Sequence, residues 1–367
     1  MTYASNRPRS RVCREFMDRL IGHTDAVGLL RRTLAADRVS HAYLISGPRG
    51  VGRRTLALEL AKALNCLADS TARPCGECRQ CRLIQRGIHP EVRVVKRAPE
   101  RKAILLRPPP GSSSPPRDYA DNVEFIQTDA QMRPMDGRKK VYLILNAEEL
   151  GRDAANRLLK TIEEPTRYVH FILTASDRGA VLPTIVSRCQ EIRLRPVPRA
   201  ELARALTASG LVDESRAELL AALSGGRPGW ALAAIGDPSV FEVHQADVRD
   251  LRDALAASRL DRLILARSLA DRWSSRPDSV RTTLRAWLSW WRDVLLMQLD
   301  LADRTSHAGP DHQAAIRAVA AQVSPADAQA AQARVQQTLA DLEANVNVRL
   351  ALDLLLLRLP HVKPVTA

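Results

Sequence analysis

The chain has 367 residues, enough for two or three domains with separate cores, and 45% of them are hydrophobic, as in ordinary globular proteins. Aromatic residues make up only 4%, which argues against a surface that stacks single-stranded bases on exposed rings. The formal net charge of +14 is compatible with a phosphate-bearing partner, and it suits an arginine-rich composition without such a partner equally well.

No segment has the pattern of an export signal or a membrane span. The N-terminal stretch MTYASNRPRSRVCREF is basic and lacks the continuous apolar core of a signal peptide. The most apolar segment, LALDLLLLRL, contains Asp353 and Arg358 and is shorter than the roughly 20 residues that span a bilayer. We therefore expect a soluble, cytoplasmic protein. Six cysteines in that compartment stay reduced, which directs attention to metal binding rather than to disulfides.

The first two hundred residues alternate between helical and strand patterns. Leu29, Leu30 and Leu34 have helical spacing, and the apolar run AYLIS is followed by a glycine-containing loop and the helical stretch RRTLALELAKALNC. Further strands are predicted at EVRVV, KVYLIL and HFILTA, with a helix at GRDAANRLLKTIEEP. Continuous apolar strands predict a parallel sheet that is covered on both faces, and therefore a doubly wound α/β domain.

Two features mark the limits of that domain. Residues 96–117 contain six prolines and three consecutive serines, which predicts a loop or a disordered insertion. It is either a nucleic-acid arm or, as we favour, a solvated loop. Pro196 and Pro198 mark a hinge, after which the patterns are helical.

Three tryptophans stand out in the helical region. Trp287, Trp290 and Trp291 lie at near-helical spacing in TTLRAWLSWWRDVLLMQL. Tryptophan is enriched at the energetic centres of interfaces, but it is also a common core residue of helical bundles. The core is the better interpretation for each of them.

The stretch HAYLISGPRGVGRRT has the strand, loop and helix order of a phosphate-binding loop. Gly47 and Gly52 keep the spacing of a P-loop, with Gly50 between them, so that backbone N–H groups can approach phosphates. Arg53, however, stands where a P-loop has its phosphate-binding Lys, and its longer, forked side chain is not a conservative replacement.

The magnesium ligand of the P-loop is also missing. Arg54 stands where a Ser or Thr hydroxyl binds the ion, and a guanidinium cannot ligate a cation. Thr55 is one residue late, which rotates its side chain by about 100° around the helix. The strand KVYLIL, which should end in acidic residues, ends instead in Leu145 and Asn146. We interpret the nearby Glu148 and Glu149 as acids at the start of a helix.

Four cysteines form a compact group. Cys66, Cys75, Cys78 and Cys81 follow a Cys-x8-Cys-x2-Cys-x2-Cys spacing, which lets four thiolates surround one zinc ion. With no open coordination position, such a zinc is structural. The alternative is a set of free thiols. Cys13 and Cys189 lie outside the group.

Together these stretches identify a family resemblance that spans roughly residues 20–195. The segments that carry it are IGHTDAVGLLRRTL, the loop stretch, CGECRQC, HPEV, KVYLILNAEEL, AANRLLKTIEEP and LPTIVSRC. They resemble bacterial clamp-loader subunits of DNA polymerase III. The resemblance implies an AAA+ domain over residues 1–197 with a zinc module at 66–81, a helical lid over 198–238, and a helical collar for oligomerisation over 239–367.

The same resemblance implies a function. The family contains catalytic gamma/tau subunits and a delta-prime subunit that generally lacks ATPase activity, and the degenerate loop favours the delta-prime type. Ser187, Arg188 and Cys189 match the SRC motif of the family, whose Arg is an arginine finger that acts on ATP bound by a neighbouring subunit. The implied partners are gamma/tau and delta subunits in a hetero-oligomeric ring, the sliding clamp and primed DNA, within the polymerase III holoenzyme.

Nucleotide binding and two alternatives remain open at this point. The Arg that catalytic relatives carry in the lid falls on Gly229, with Arg227 nearby. We expect no autonomous ATPase or polymerase activity, and the sequence leaves open whether ATP still binds without turnover. One alternative is an active gamma/tau-like ATPase in which Arg53 and Thr55 replace the usual residues. The other is a DNA-binding module formed by the zinc segment and the basic insertion.

Overall fold

The computed structural model describes residues 20–69, 72–97, 103–104, 123–302, 305, 310–343 and 346–363. The chain divides into two compact units, Met1–Val197 with Arg227–Gly229, and Pro198–Gly226 with Trp230–Ala367. The predicted three-domain division, with a lid over 198–238 and a collar over 239–367, stays a prediction. Among the helices of the described ranges, none is long and apolar enough to cross a bilayer.

The first unit contains a parallel sheet, as predicted. Its strands are β1 Ala42–Ser46, β2 Val92–Val95, β3 Lys140–Ile144, β4 Val169–Ala175 and β5 Gln190–Arg193. They are arranged in the order β2-β3-β4-β1-β5, and every neighbouring pair is parallel. Each of the four predicted apolar runs is a strand in this sheet.

Helices cover the sheet on both faces. They are α1 Thr24–Ala35, α2 Arg53–Asn65, α3 Arg79–Gln85, α4 Val123–Asp129, α5 Arg152–Glu163 and α6 Pro183–Val186. Alternate strand residues supply two cores: Tyr43 and Ile45 pack with α1 and α2, whereas Leu44 packs with α5 on the other face. Every residue of β1, β3 and β4 is buried, because both faces of the sheet are covered there.

The sequence did not reveal β5. This strand reads Gln-Glu-Ile-Arg, and of its four side chains only that of Ile192 is buried. It lies at the edge of the sheet next to β1, so one side of its backbone has no neighbouring strand in the described sheet. A short, polar edge strand has little apolar pattern, and its pairing with β1 depends on contacts that are distant in sequence.

The proline-rich segment 96–117 falls mostly outside the described residues. Within it, Ile104 is buried in the core on the α5 face and its N–H donates a 2.7 Å hydrogen bond to the carbonyl of Glu149. The described part of the segment therefore contributes a core residue, Ile104, which a wholly solvated loop would not do. Any deletion that tests this segment should retain Ile104.

The second unit is helical throughout its described residues, as predicted. Its helices are α7 Arg199–Ala208, α8 Glu214–Leu223, α9 Pro228–Gly236, whose first two residues are counted with the first unit, α10 Pro238–Ala256, α11 Arg259–Ser275, α12 Pro277–Gln298, α13 Pro310–Ala320, α14 Pro325–Glu343 and α15 Val348–Leu357. Trp287, Trp290 and Trp291 are fully buried in one core built by α10 to α15. The core interpretation of these tryptophans is confirmed.

Candidate functional site

The degenerate phosphate loop connects β1 to α2 at the carboxyl edge of the sheet. Its glycines are required by space as well as by conformation. A Cβ on Gly47 would lie 2.4 Å from the carbonyl oxygen of Leu194, and a Cβ on Gly52, whose φ is +115°, would lie 2.6 Å from Leu20. Any larger residue at these positions would have to displace its neighbours, so the shell of a P-loop is preserved.

The two arginines occupy the first turn of α2. Arg53, at the position of the P-loop Lys, is only 8% exposed, whereas Arg54 and Thr55 are exposed. The residue at the Lys position is thus largely withdrawn from solvent, and the residue at the magnesium position is a cation. Arg53 is not a conservative replacement for Lys, and Arg54 places a positive charge where a P-loop binds magnesium.

The end of β3 offers no free carboxylate among the residues described there. Leu145 and Asn146 follow the strand, and Asn146 has a left-handed φ of 56°. Glu148 and Glu149 lie in a 3-10 turn, Ala147–Glu149, that precedes α5, so they are not at the start of an α-helix as the sequence had suggested.

Both glutamates already have partners. The Glu148 carboxylate accepts a hydrogen bond of 2.9 Å from the N–H of Ser176, and that of Glu149 lies 3.3 Å from the Arg97 guanidinium. These contacts tie the turn to the segment that follows β4 and to the end of β2. The acids therefore act as local structural partners here.

Gly229, which the sequence matched to an Arg of catalytic relatives, contacts the loop through its backbone. The N–H of Gly229 donates a 2.8 Å hydrogen bond to the carbonyl oxygen of Gly50. A Cβ at Gly229 would lie 3.0 Å from that same oxygen. A long cationic side chain is absent at the point of closest approach, and the backbone leaves little room for one.

Arg188 follows the short helix α6 and is exposed. Its Nη2 lies 2.6 Å from Oε1 of Glu163, and its Nη1 donates to the carbonyl of Thr184 at 2.9 Å and to Oγ of Ser187 at 3.2 Å. Burial raises the pKa of the neighbouring Cys189 thiol to about 12, so this thiol stays neutral. Sequence reasoning did not assign a role to Glu163, although the residue lies in the quoted stretch IEEP.

A cavity of about 770 Å³ lies at the carboxyl ends of β1, β4 and β5. Gly47 of the loop and Ser187 of the SRC triplet both line it, so the structure brings these two predicted regions to one side of the sheet. Glu191 in the wall accepts a hydrogen bond from Ser46 and pairs with Arg178 at 3.1 Å. Crevices at this edge are the usual ligand positions of open α/β sheets.

The four cysteines are gathered into one cluster. The Sγ atoms of Cys66, Cys75, Cys78 and Cys81 all lie within 4.8 Å of one another, which suits a tetrahedral zinc whose Zn–S bonds of about 2.3 Å place sulfurs about 3.8 Å apart. The N–H groups of Cys75 and Cys78 donate to the sulfurs of Cys66 and Cys75, each at 3.3 Å. The side-chain hydrogen bond with Cys81 lowers the pKa of Cys66 to about 4. The donor set fits a structural zinc.

The cysteine segment also forms an ion pair and hydrogen bonds with the loop that leads into β3. Arg79 Nη1 lies 2.7 Å from Oδ1 of Asp136 and Gln80 also donates to that oxygen. Asn65, directly before Cys66, accepts hydrogen bonds from the N–H groups of Arg138 and Lys139 at 2.9 and 3.0 Å. The geometry of the cysteine segment is therefore coupled to the position of β3.

Comparison with known proteins adds names to this architecture. The parallel, helix-covered sheet with its P-loop shell agrees with the AAA+-type fold that the sequence implied. The family described as "DNA polymerase III, delta subunit" matches residues 22–198. DNA polymerase III subunit delta' of Pseudomonas aeruginosa is 34% identical over 243 residues, which cover 65% of this chain and 67% of that protein. The chain belongs to the clamp-loader subunit family of DNA polymerase III.

Other similar proteins carry different subunit names. DNA polymerase III subunit tau/gamma of Haemophilus influenzae is 35% identical over 187 residues, which cover 51% of this chain but only 25% of that protein. The chain thus spans about a quarter of this relative. The crystal structure of a gamma subunit-related protein of Thermotoga maritima matches with a TM-score of 0.44 and 16% identity, covering 91% of this chain and 98% of that chain.

Proposed function

We propose that the chain is a delta-prime-type clamp-loader subunit, which does not hydrolyse ATP and contributes Arg188 to the ATP site of a neighbouring gamma/tau subunit. The single observation that carries the proposal is the replacement of both the Lys and the Ser or Thr of a P-loop by arginines. Arg53 is buried at the Lys position, and Arg54 is exposed at the magnesium position. A site without its Lys, its hydroxyl and its acids lacks the groups that phosphoryl transfer requires.

The geometry of the lid position supports the same conclusion. Gly229 meets the loop at Gly50 with a backbone hydrogen bond and without a side chain. In this arrangement the loop is held by the protein itself, so its conformation does not depend on a nucleotide. Such a subunit serves as a fixed element against which ATP-dependent neighbours move.

Arg188 supplies the chemistry that the chain offers to others. Its guanidinium is exposed, always charged and able to donate to phosphoryl oxygens. Arginine fingers in other ATP- and GTP-hydrolysing systems accelerate hydrolysis by about 10³ to 10⁵. We assign the same role to Arg188 in trans, because the loop of this chain lacks the Lys and the hydroxyl that would hold ATP and magnesium for it in cis.

The partners follow from the family. We propose a hetero-oligomeric ring with gamma/tau and delta subunits that loads the sliding clamp onto primed DNA. Two helices of the second unit that pack together, α11 and α15, expose large apolar side chains at helical spacing. They are Leu260, Ile264, Leu350, Leu354 and Leu357. This surface is suited to contact with the helical domain of a neighbouring subunit.

Calorimetry on the isolated chain tests the nucleotide part of the proposal. We expect no heat of binding with Mg-ATP and no phosphate release. Binding without turnover would identify a scaffold that nucleotide stabilises, whereas steady turnover that a Gly52 substitution abolishes would establish the ATPase alternative.

Reconstitution with gamma/tau and delta subunits tests the finger. Arg188→Ala should slow DNA-stimulated ATP hydrolysis and clamp loading, whereas Arg167→Ala, which removes another exposed arginine of the same unit, should change neither rate. An undiminished rate with Arg188→Ala would contradict the assignment. Deletion of residues 106–116, which retains Ile104, should leave clamp loading intact; loss of most DNA affinity would instead favour the DNA-binding alternative.

A further inference from the structure

The guanidinium of Arg188 is held by contacts within this chain. Glu163 is the last residue of α5, and its Oε1 lies 2.6 Å from Nη2 of Arg188. On the other arm, Nη1 donates to the carbonyl oxygen of Thr184 and to Oγ of Ser187. The two arms of the side chain are therefore fixed from two sides, by α5 and by the α6 segment.

These contacts leave donors for a ligand. A guanidinium has five N–H groups. Within the described part of the chain, the two bonds of Nη1 and the one bond of Nη2 leave an N–H on Nε and one on Nη2. Two donors are what a planar guanidinium needs to contact phosphoryl oxygens with directed hydrogen bonds.

Stability does not explain the ion pair. The side chains of Arg188 and Glu163 are 37% and 42% exposed, and ion pairs with that much solvent around them contribute little to folding. Ordering a long arginine side chain, however, removes rotamer freedom that would otherwise be lost when it docks on its ligand. The pair therefore serves the function of Arg188, by ordering its side chain, rather than the stability of the fold.

We propose that Glu163 is a positioning residue for the arginine finger: it orders the Arg188 guanidinium so that its remaining donors meet the phosphoryl oxygens of ATP held by the neighbouring subunit. This inference rests on the proposed function of Arg188. Prepaid orientation of a charged group lowers the barrier of the reaction it stabilises, because less ordering remains for the transition state. Glu163 itself does not contact the nucleotide.

The test uses the complete reconstituted clamp-loader complex with four versions of this subunit: wild type, Glu163→Gln, Arg188→Ala, and the double variant. Glu164→Gln is the matched control, because it removes the neighbouring exposed carboxylate of the same stretch. For each complex we would measure kcat and KM of DNA- and clamp-stimulated ATP hydrolysis, together with assembly by gel filtration. The loss caused by Arg188→Ala defines the share of the rate that depends on the finger.

We expect Glu163→Gln to lower kcat, with a decrease at least about half as large as the decrease caused by Arg188→Ala, while KM and assembly stay unchanged. The double variant should be no slower than Arg188→Ala, as required when two residues act through one interaction. Glu164→Gln should match the wild type. If Glu163→Gln retains the full rate while Arg188→Ala is slow, the positioning role is wrong and the finger stands. If Arg188→Ala itself retains the full rate, the proposed function fails, and the positioning role fails with it.

Discussion

The N–H of Gly229 donates a 2.8 Å hydrogen bond to the carbonyl oxygen of Gly50, the central glycine of the degenerate loop. The two residues are far apart in the sequence, and neither has a side chain that could fill the space between the two backbones. A Cβ at Gly229 would lie 3.0 Å from the Gly50 oxygen. The loop is therefore backed by protein backbone at Gly50.

Restoring the Lys and Thr of a P-loop at positions 53 and 54 is predicted not to restore ATP hydrolysis. In the variant Arg53→Lys with Arg54→Thr, the phosphate and magnesium contacts of the first turn of α2 return, but Leu145 and Asn146 still offer no carboxylate and Gly229 still offers no cation. We expect Mg-ATP binding in the micromolar to millimolar range at most and no hydrolysis above background, measured by calorimetry and phosphate release.

The control for this reversion is the same pair of substitutions with Gly52→Val added. The Cβ alone would collide with Leu20 at 2.6 Å, so the added substitution should abolish any binding that the reversion restores. Hydrolysis by the reverted chain would show that turnover does not require acidic residues at the end of β3, contrary to this prediction.

The cysteine cluster is predicted to hold one zinc that stabilises the first unit. Cys78→Ser removes one of four ligands, and structural zinc in small peptides binds with about 10 to 16 kcal/mol, so the variant should lose its metal and unfold at a lower temperature. Metal analysis and calorimetric unfolding check this. Cys189→Ser, outside the cluster, should keep its zinc. Less than about half an equivalent of zinc in unmodified protein purified without chelator would contradict the site.

Zinc loss should also increase the mobility of the backbone at the start of β3. Arg79 and Gln80 hold Asp136, and Asn65 holds the backbone of Arg138 and Lys139. We expect faster hydrogen exchange of the amides of residues 136–140 in Cys78→Ser, while the amides of β5 keep their protection. If residues 136–140 exchange no faster in Cys78→Ser than in the wild type, or if β5 accelerates by the same factor, the cysteine segment is not specifically coupled to β3.

The sequence predicted the parallel sheet because four of its strands are continuous apolar runs that end at loops. It also predicted the cysteine cluster, because four close cysteines have few other structural roles. The contacts that organise the candidate site could not be predicted from the sequence. The pairing of Glu163 with Arg188 joins the end of one helix to the residue after another, and Gly229 meets Gly50 through backbone atoms that no side-chain pattern reports. Such contacts depend on the folded arrangement of segments, not on local periodicity.

Substitution of Arg262 is predicted to destabilise the second unit strongly. It is buried, and its guanidinium donates to five carbonyl oxygens at the ends of α10 and α15, those of Ala254, Leu255, Leu356, Leu359 and Pro360. Arg262→Met leaves these buried acceptors without their donor, at a cost of about 3 to 5 kcal/mol in unfolding free energy. All five tryptophans of the chain lie in this unit, so tryptophan fluorescence during denaturant unfolding measures the effect. Arg259→Met, at an exposed position of the same helix, should be nearly neutral.

The pH dependence of this unit should reveal Asp247. This residue is 2% exposed; its Oδ1 accepts from Thr283 at 2.8 Å and lies 3.9 Å from the Arg272 guanidinium. Burial raises the pKa of its carboxyl to about 6, above the ordinary value of 3.8. Because the folded state holds the proton more tightly, the stabilising effect of protonation is complete below about pH 4 and is lost as the pH rises through about 6.

Asp247→Asn cannot titrate, so its unfolding free energy relative to the wild type should increase between pH 4 and pH 7.5, by up to about 3 kcal/mol. Denaturant unfolding followed by tryptophan fluorescence at several pH values measures the difference. Asp253→Asn, at an exposed position of the same helix α10, serves as the control and should show a smaller change over this range. A difference between Asp247→Asn and the wild type that stays constant with pH would mean that the carboxyl of Asp247 is ionised in the folded protein throughout, with Arg272 and Thr283 offsetting its burial.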